Sequence, residues 1–189
     1  MKASRILTTD EVRQVLANLP QGNPRTVFRL ATGCGLRASE IAQLEMRDIV
    51  LGIQKPVINV RNEIAKKRHG GEVPLWYDAG TLLDIEKHWS MRTFDQSAEP
   101  DSPFVQGITG TFVDRRTIHR WWKEALVPIG PYRQGQVRLH DGRHTSISHL
   151  LRVRSLPEVR DFARHSNISV TSRYIHPVVV DDGAVGTVF

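Results

Sequence analysis

The sequence predicts a mainly helical domain with one small, mostly antiparallel sheet. Three observations lead there. Apolar residues recur at helical spacing behind capping pairs in both the first and last thirds of the chain. Short Val- and Ile-rich runs are confined to residues 48–75. The composition, 189 residues with 40% hydrophobic and 24% charged, is that of one ordinary domain able to bury a core without cross-links.

In chain order, Thr8 and Glu11 form a T-x-x-E capping pair, followed by Val12, Val15, Leu16 and Leu19, and Pro20 closes the run. A second helix is expected over Pro24–Ala31 and is broken by Thr32-Gly33-Cys34-Gly35; a third, short one holds Ser39, Glu40, Ile41 and Leu44. Asp48–Leu51, Val57–Arg61 and Glu72–Leu75 read as strands, with Lys66–Gly71 as the turn between the last two. Asp78 caps a helix to about Trp89, residues 95–111 are a loop, and Thr117–Leu126 is helical. Its Trp121-Trp122 pair reads as core and interface. Arg133–Arg138 is polar and is expected to be a loop. His140–Arg152 is a helix; Ser155 and Glu158 cap the next, to about Arg164; Ser169 caps a last one that contains Tyr174 and stops at Pro177.

Composition also bounds function. The formal charge of +6 favours a polyanionic partner, and the basic residues lie in patterned segments, not in a tail. The single cysteine, Cys34, permits no internal disulfide and suits a reducing cytoplasm. The opening MKASRILTTDEV lacks the apolar stretch of a secretory signal, and no run is long enough to span a membrane.

Four segments carry chemistry. ATGCGLRASEIAQL sets Arg37 between a Gly-rich turn and a helix; AKKRHGGEVPL carries Lys66, Lys67 and Arg68; HDGRHTSISHL places His140 and Arg143 one helical turn apart; ARHSNISVTSRYIHP holds His165 and Tyr174. Each has an ordinary structural explanation taken singly. The His140/His144 pair has the i, i+4 spacing of a metal site, but Asp141 stands where the metalloprotease pattern needs Glu, and Arg143 between two ligands repels a cation. No metal is expected, and His144 and His149 read as core or supporting residues.

Together and in this order, from about Leu7 to Pro177, the segments resemble the tyrosine recombinase (phage integrase) family. TGCGLRASE matches the segment that supplies the family's first arginine, giving Arg37 with Glu40 as its supporting acid. Lys66 stands eight positions before the proline of Val73-Pro74-Leu75, where the family has its hairpin lysine. HDGRH gives His140 and Arg143, ARH gives His165, and Tyr174 follows His165 by nine positions, as the nucleophile does in the family.

The resemblance implies a helical catalytic domain of DNA breaking-rejoining enzymes with a three-stranded antiparallel sheet. It implies a site-specific recombinase that cleaves and rejoins DNA through a 3′-phosphotyrosine. In that chemistry Arg37 and Arg143 clamp the phosphate, His140 takes the Tyr174 proton, Lys66 protonates the leaving 5′-oxygen, and His165 donates to the phosphate. Nearby cations are expected to favour the Tyr174 phenolate. Lys67, Arg68 and Arg164 are expected to touch DNA. No cofactor and no small-molecule substrate are implied; the partners are double-stranded DNA and further copies of the chain, up to a tetramer. The domain covers 1–177, and the tail 178–189 is expected to contact a neighbouring subunit. The alternative is a weak or inactive DNA-binding remnant or regulator of the same family.

Two departures stand out. Gly142 replaces the usual leucine, which is expected to thin the packing under the helix. Ala163-Arg164 replaces Leu-Gly, so the helix end there is expected to differ in shape, because positive φ is costly for arginine. Family members usually carry a further N-terminal helical domain. The expectation is therefore a fragment or an unusually short member, gripping one face of DNA with a shallow salt dependence.

Overall fold

The computed structural model describes residues 5–94 and 98–175. Nine helices occur among these: α1 Thr9–Asn18, α2 Asn23–Thr32, α3 Ala38–Ala42, α4 Ala79–Thr93, α5 Arg115–Ala125, α6 Pro131–Gln136, α7 Leu139–Leu150, α8 Leu156–Phe162 and α9 Ile168–Ser172. Three strands, β1 Ile49–Val50, β2 Val57–Val60 and β3 Gly71–Pro74, form one antiparallel sheet in the order β1-β2-β3. Ile49 pairs with Ile58, and Ile58 pairs with Val73. The mainly helical class and the small sheet stand as expected.

Local chemistry accounts for most element starts. The Thr8 hydroxyl accepts from the Glu11 N–H at 3.2 Å, and the Glu11 carboxylate accepts from the Thr8 N–H at 2.9 Å. Asp78 accepts from Gly80 and Thr81 at the start of α4, and Asp114 from Thr117 at the start of α5. Each satisfies N–H groups that a helix start leaves open. At α8 the Ser155 N–H and hydroxyl both donate to Glu158.

Helix α2 organises the core, packing against α4, α5 and α7. The fully buried Phe28 of α2 stacks on Trp122 of α5, ring centres 5.5 Å apart and planes 19° apart. The Trp122 Nε1–H donates to the Val137 carbonyl at 3.2 Å, so the indole is fixed at both ends. Cys34, 1% exposed, lies in this core, and burial pushes its thiol up to about 12. The Leu7 N–H donates to Thr145 Oγ1 at 3.0 Å and a His149 ring nitrogen meets the Leu7 carbonyl at 3.0 Å, joining the start of the described chain to α7.

Four expectations are corrected. Residues 133–138 are not a loop: α6 occupies most of that stretch. Gly130 and Pro131 start it, and long-range contacts hold it, with Arg133 on the Glu11 carboxylate at 2.6 Å and on the Ile6 carbonyl at 2.8 Å. The last helix is capped by Asn167, whose side chain accepts from Ser169, not by Ser169. That helix ends at Ser172, so Tyr174 lies just beyond its C-cap, Arg173; Pro177 and the tail 178–189 fall outside the described residues. Packing under α7 is not thin at Gly142 either. A Cβ there would sit 2.8 Å from Trp122 Cη2 and 3.0 Å from Ala31 Cβ, because the indole fills the space that a leucine would take.

Candidate active site and its relatives

Arg37 is the N-cap of α3, directly after the Gly33–Gly35 turn. Its backbone N–H and its Nη1 donate to the two oxygens of Glu40, at 2.9 and 2.8 Å. Glu40 has no solvent exposure. Burial raises its pKa, but the positive charges of Arg164 and Arg37 outweigh that and hold the carboxyl below its ordinary value. Arg37 itself keeps 22% side-chain exposure, so it faces outward from this anchor.

Helix α7 presents the second cation. Arg143 is 2% exposed, with Nη1 on the Gly35 carbonyl at 2.6 Å and Nη2 on the Ala163 carbonyl. Burial, and then the like charges of Arg37 and Arg164, push its pKa down to about 9, so it stays charged at neutral pH. Both main-chain anchors lie in turns, one before α3 and one at the end of α8. Two segments distant from α7 therefore fix a single guanidinium.

The histidines and the tyrosine face these cations. The His144 ring lies 4.6 Å from that of His140 and 5.1 Å from that of Tyr174; the His165 ring is 6.3 Å from Tyr174. All three histidines are held below their ordinary pKa, in each case first by burial. For His165 the charges of Arg143, Arg37 and Arg164 add to burial and bring it to about 4. It is neutral at pH 7, with Nδ1 2.9 Å from the buried Thr171 hydroxyl. With Thr171 donating, Nε2 carries the proton and is the free donor. Tyr174 packs against the small apolar cluster of Ile147, Val159 and Ala163. Its pKa is raised: burial exceeds the pull of Arg143 and Arg37, so the phenol is not activated in the free protein. The cations do favour the phenolate, as expected, but burial outweighs them.

Five of the six expected catalytic positions, Arg37, His140, Arg143, His165 and Tyr174, thus act on one another through contacts and charge. Lys66 does not join them. It is exposed on a turn of 3-10 helix, Lys66–Arg68, between β2 and β3, with no hydrogen bond or ion pair from its ammonium among the described residues. Arg68 is exposed there at φ 55°, while the Lys67 side chain falls outside what is described. Arg164 departs from its expected role. Its backbone is left-handed (φ 52°), and its side chain, 3% exposed, is buried against Glu40 at 2.6 Å.

Sequence reasoning gave His144 only a core or supporting place; it packs between His140 and Tyr174, on the helix face that its i, i+4 relation to His140 sets. The same reasoning passed over Thr171 and the carbonyls of Gly35 and Ala163, which have no local signal. The cleft beside Tyr174, about 490 Å³ and lined by Ile6, Asp141, His144, Val170 and Arg173, opens the tyrosine to solvent. A larger cleft of about 700 Å³, lined by His88, Arg120 and Trp121 among others, holds none of these residues. No group of His, Cys, Asp and Glu suited to a metal occurs among the described residues, nor does any helix there have the length and apolarity to cross a membrane.

A helical domain that gathers two arginines, three histidines and a tyrosine has the groups that can hold an anionic ester beside a hydroxyl nucleophile. Comparison with known proteins gives the class a family: residues 5–179 match the phage integrase family, and the chain belongs to it. It is 29% identical over 176 residues to tyrosine recombinase XerC of Proteus mirabilis, covering 90% of this chain and 54% of that protein. It is 28% identical over 179 residues to a tyrosine recombinase of Thermosipho africanus, covering 93% of this chain and 58% of that one. The chain thus spans a little over half the length of these relatives. Among solved structures, XerA recombinase superposes with a TM-score of 0.75 at 19% identity, over 93% of this chain and 60% of that one. A lambda integrase dimer bound to a COC′ core site gives 0.69 at 15% identity, over 100% and 65%. These likenesses establish the fold as that of recombinase catalytic domains.

Proposed function

We propose that the chain is the strand-cleaving domain of a site-specific recombinase acting on double-stranded DNA in the cytoplasm. The observation that carries this reading is the grouping of Arg37, Arg143, His140 and His165 about Tyr174. Arg37 and Arg143 hold the non-bridging oxygens of the scissile phosphate; fixed charge of this kind meets the charge that builds up during displacement. Neutral His165 donates through Nε2 to the same phosphate.

The Tyr174 oxygen attacks phosphorus, and its proton passes to His140, which is neutral and able to accept it. The bond from phosphorus to the 5′-oxygen breaks, and Lys66 of the hairpin gives that oxygen a proton. The products are a 3′-phosphotyrosine and a 5′-hydroxyl. A 5′-hydroxyl of a second strand reverses the step: it gives its proton to Lys66 as it attacks phosphorus, the bond to Tyr174 breaks, and His140 returns its proton to the released phenol oxygen. The phosphoester count is unchanged, so no nucleotide and no cofactor is consumed. Because the free phenol sits above its ordinary pKa, the bound phosphate and proton removal must act together in the transition state. Arg68 and Lys67 are assigned to the DNA backbone beside the hairpin.

A lambda integrase tetramer bound to a Holliday junction shares this fold. We extend assembly on DNA, up to a tetramer, to this chain, with the tail 178–189 as a subunit contact and residues 1–177 as the catalytic unit. The test is a covalent trap: nicked DNA bearing the target site is incubated with the protein, denatured in detergent and scored for a protein–DNA adduct. Wild type gives the adduct and Tyr174→Phe does not. An adduct that persists in Tyr174→Phe would overturn the assignment of the nucleophile.

A further inference from the structure

Arg164 sits where a helix has to reverse, and arginine is a poor residue for that geometry. The end of α8 is a Schellman turn: the His165 N–H donates to the Arg160 carbonyl at 3.0 Å and the Arg164 N–H to the Asp161 carbonyl at 2.9 Å. Arg164 takes the left-handed position at φ 52°, which glycine fills without strain. Something other than the turn keeps an arginine there.

The side chain runs inward. A Cβ built on Gly71, at the start of β3, would lie 3.5 Å from the Arg164 Cδ, so the hairpin strand rests on the arginine stem. Its Nη2 reaches Glu40 Oε2 at 2.6 Å. Its Nε and Nη1 are buried with no hydrogen-bond partner among the described residues. A guanidinium with two buried nitrogens unpartnered among the described residues acts on Glu40 more through its charge than through its hydrogen-bond pattern.

That charge has a definite effect. Glu40 is claimed by two cations, Arg37 and Arg164. With both present, one unit of positive charge remains over the carboxylate, and Arg37, the more exposed of the two, directs it outward. Without Arg164 the carboxylate would be matched by Arg37 alone, and the pair would present no net charge to a phosphate. We propose that Arg164 is a positioning residue for the strand-cleavage reaction: it shares Glu40 with Arg37, so that Arg37 keeps its positive field for the scissile phosphate, and its stem seats the Lys66-bearing hairpin. This rests on the recombinase reading above.

Three variants of the chain test it: Arg164→Gly, which removes turn strain and should fold; Arg164→Lys, which restores the charge; and Arg164→Met, which restores bulk alone. DNA affinity and the rate of adduct formation at saturating nicked DNA are measured separately. Expected are unchanged affinity with a rate lower by roughly tenfold to a hundredfold in Arg164→Gly and Arg164→Met, as for loss of a partner that orients a charge-stabilising group, and partial recovery in Arg164→Lys. A purely structural role would make Met and Lys behave alike, and that result overturns the proposal. So does an unchanged rate in Arg164→Gly. So does a loss of affinity at constant rate, which would make Arg164 a direct DNA contact. Absence of adduct from wild type would instead strike the recombinase reading. The guanidinium NMR signal of Arg37 in the free protein then decides the matter: a shift on Arg164→Gly but not Arg164→Lys supports the shared carboxylate, and no shift overturns it.

Discussion

Replacing Gly142 by alanine should destabilise the protein, although alanine is the better helix former. In an open helix interior the change gains about 1 kcal/mol. Here the new Cβ would stand 2.8 Å from Trp122 Cη2, 3.1 Å from Cζ3 and 3.0 Å from Ala31 Cβ. The indole cannot swing aside cheaply: it is fully buried, stacked on Phe28 and bonded through Nε1 to Val137. Overpacking of this kind costs about 1–3 kcal/mol, so the net loss is about 1 kcal/mol for alanine and larger for leucine, the family's usual residue. Urea denaturation followed by circular dichroism measures it. In a Trp122→Leu background, where the indole edge is gone, the same Gly142→Ala change should recover its propensity gain, giving a coupling of about 2 kcal/mol between the two positions. If Gly142→Ala alone raises the urea midpoint, the Trp122 indole does not crowd this position. Because His140 and Arg143 flank Gly142 on α7, the adduct-forming rate should fall with the stability.

Glu40→Gln leaves Arg164 buried against a neutral amide. Loss of one partner from such a pair costs about 3–5 kcal/mol, and a thermal melt that hardly moves would contradict the pairing. Acid should weaken the fold early. His165 is held at about 4, well below the 6.5 of an ordinary histidine, so below pH 6.5 the unfolded chain binds protons that the folded one refuses. Stability is full above that pH and falls as pH drops from 6.5 toward 4; the partly solvated ring accounts for about 2 kcal/mol. A urea midpoint that is constant from pH 7 to 5, or a slope no shallower in His165→Asn, would refute this. Arg68→Gly relieves a left-handed arginine on an exposed turn. The melt should hold or rise, while DNA affinity falls and its salt dependence shrinks by about one counterion; unchanged affinity would remove Arg68 from the DNA face.

Features with local causes were legible in the sequence. The Thr8–Glu11 pair, the Asp78 cap and the antiparallel strands depend on residues a few positions apart, or on alternation along one run. The motif residues were legible because each reaches the site within its own short segment. What failed is long-range. Helix α6 is polar and holds Gly135, and it depends on Arg133 reaching Glu11 across 122 positions. Arg164 looked like a surface cation because its partner, Glu40, stands 124 positions earlier. Gly142 looked like missing bulk because nothing near it in sequence announces Trp122. At Tyr174 burial likewise outweighs the expected pull of the cations: these were visible in the motifs, and the apolar cluster under it was not.

The chain's one thiol, Cys34, is sealed in the core with its pKa near 12, so at neutral pH it offers almost no thiolate to an alkylating reagent. Chemical labelling therefore starts from a blank background. A cysteine introduced at His69, exposed beside Lys66 on the hairpin, would carry a maleimide dye alone, with no need to remove a native residue. Fluorescence from that one position would then follow the hairpin as DNA arrives.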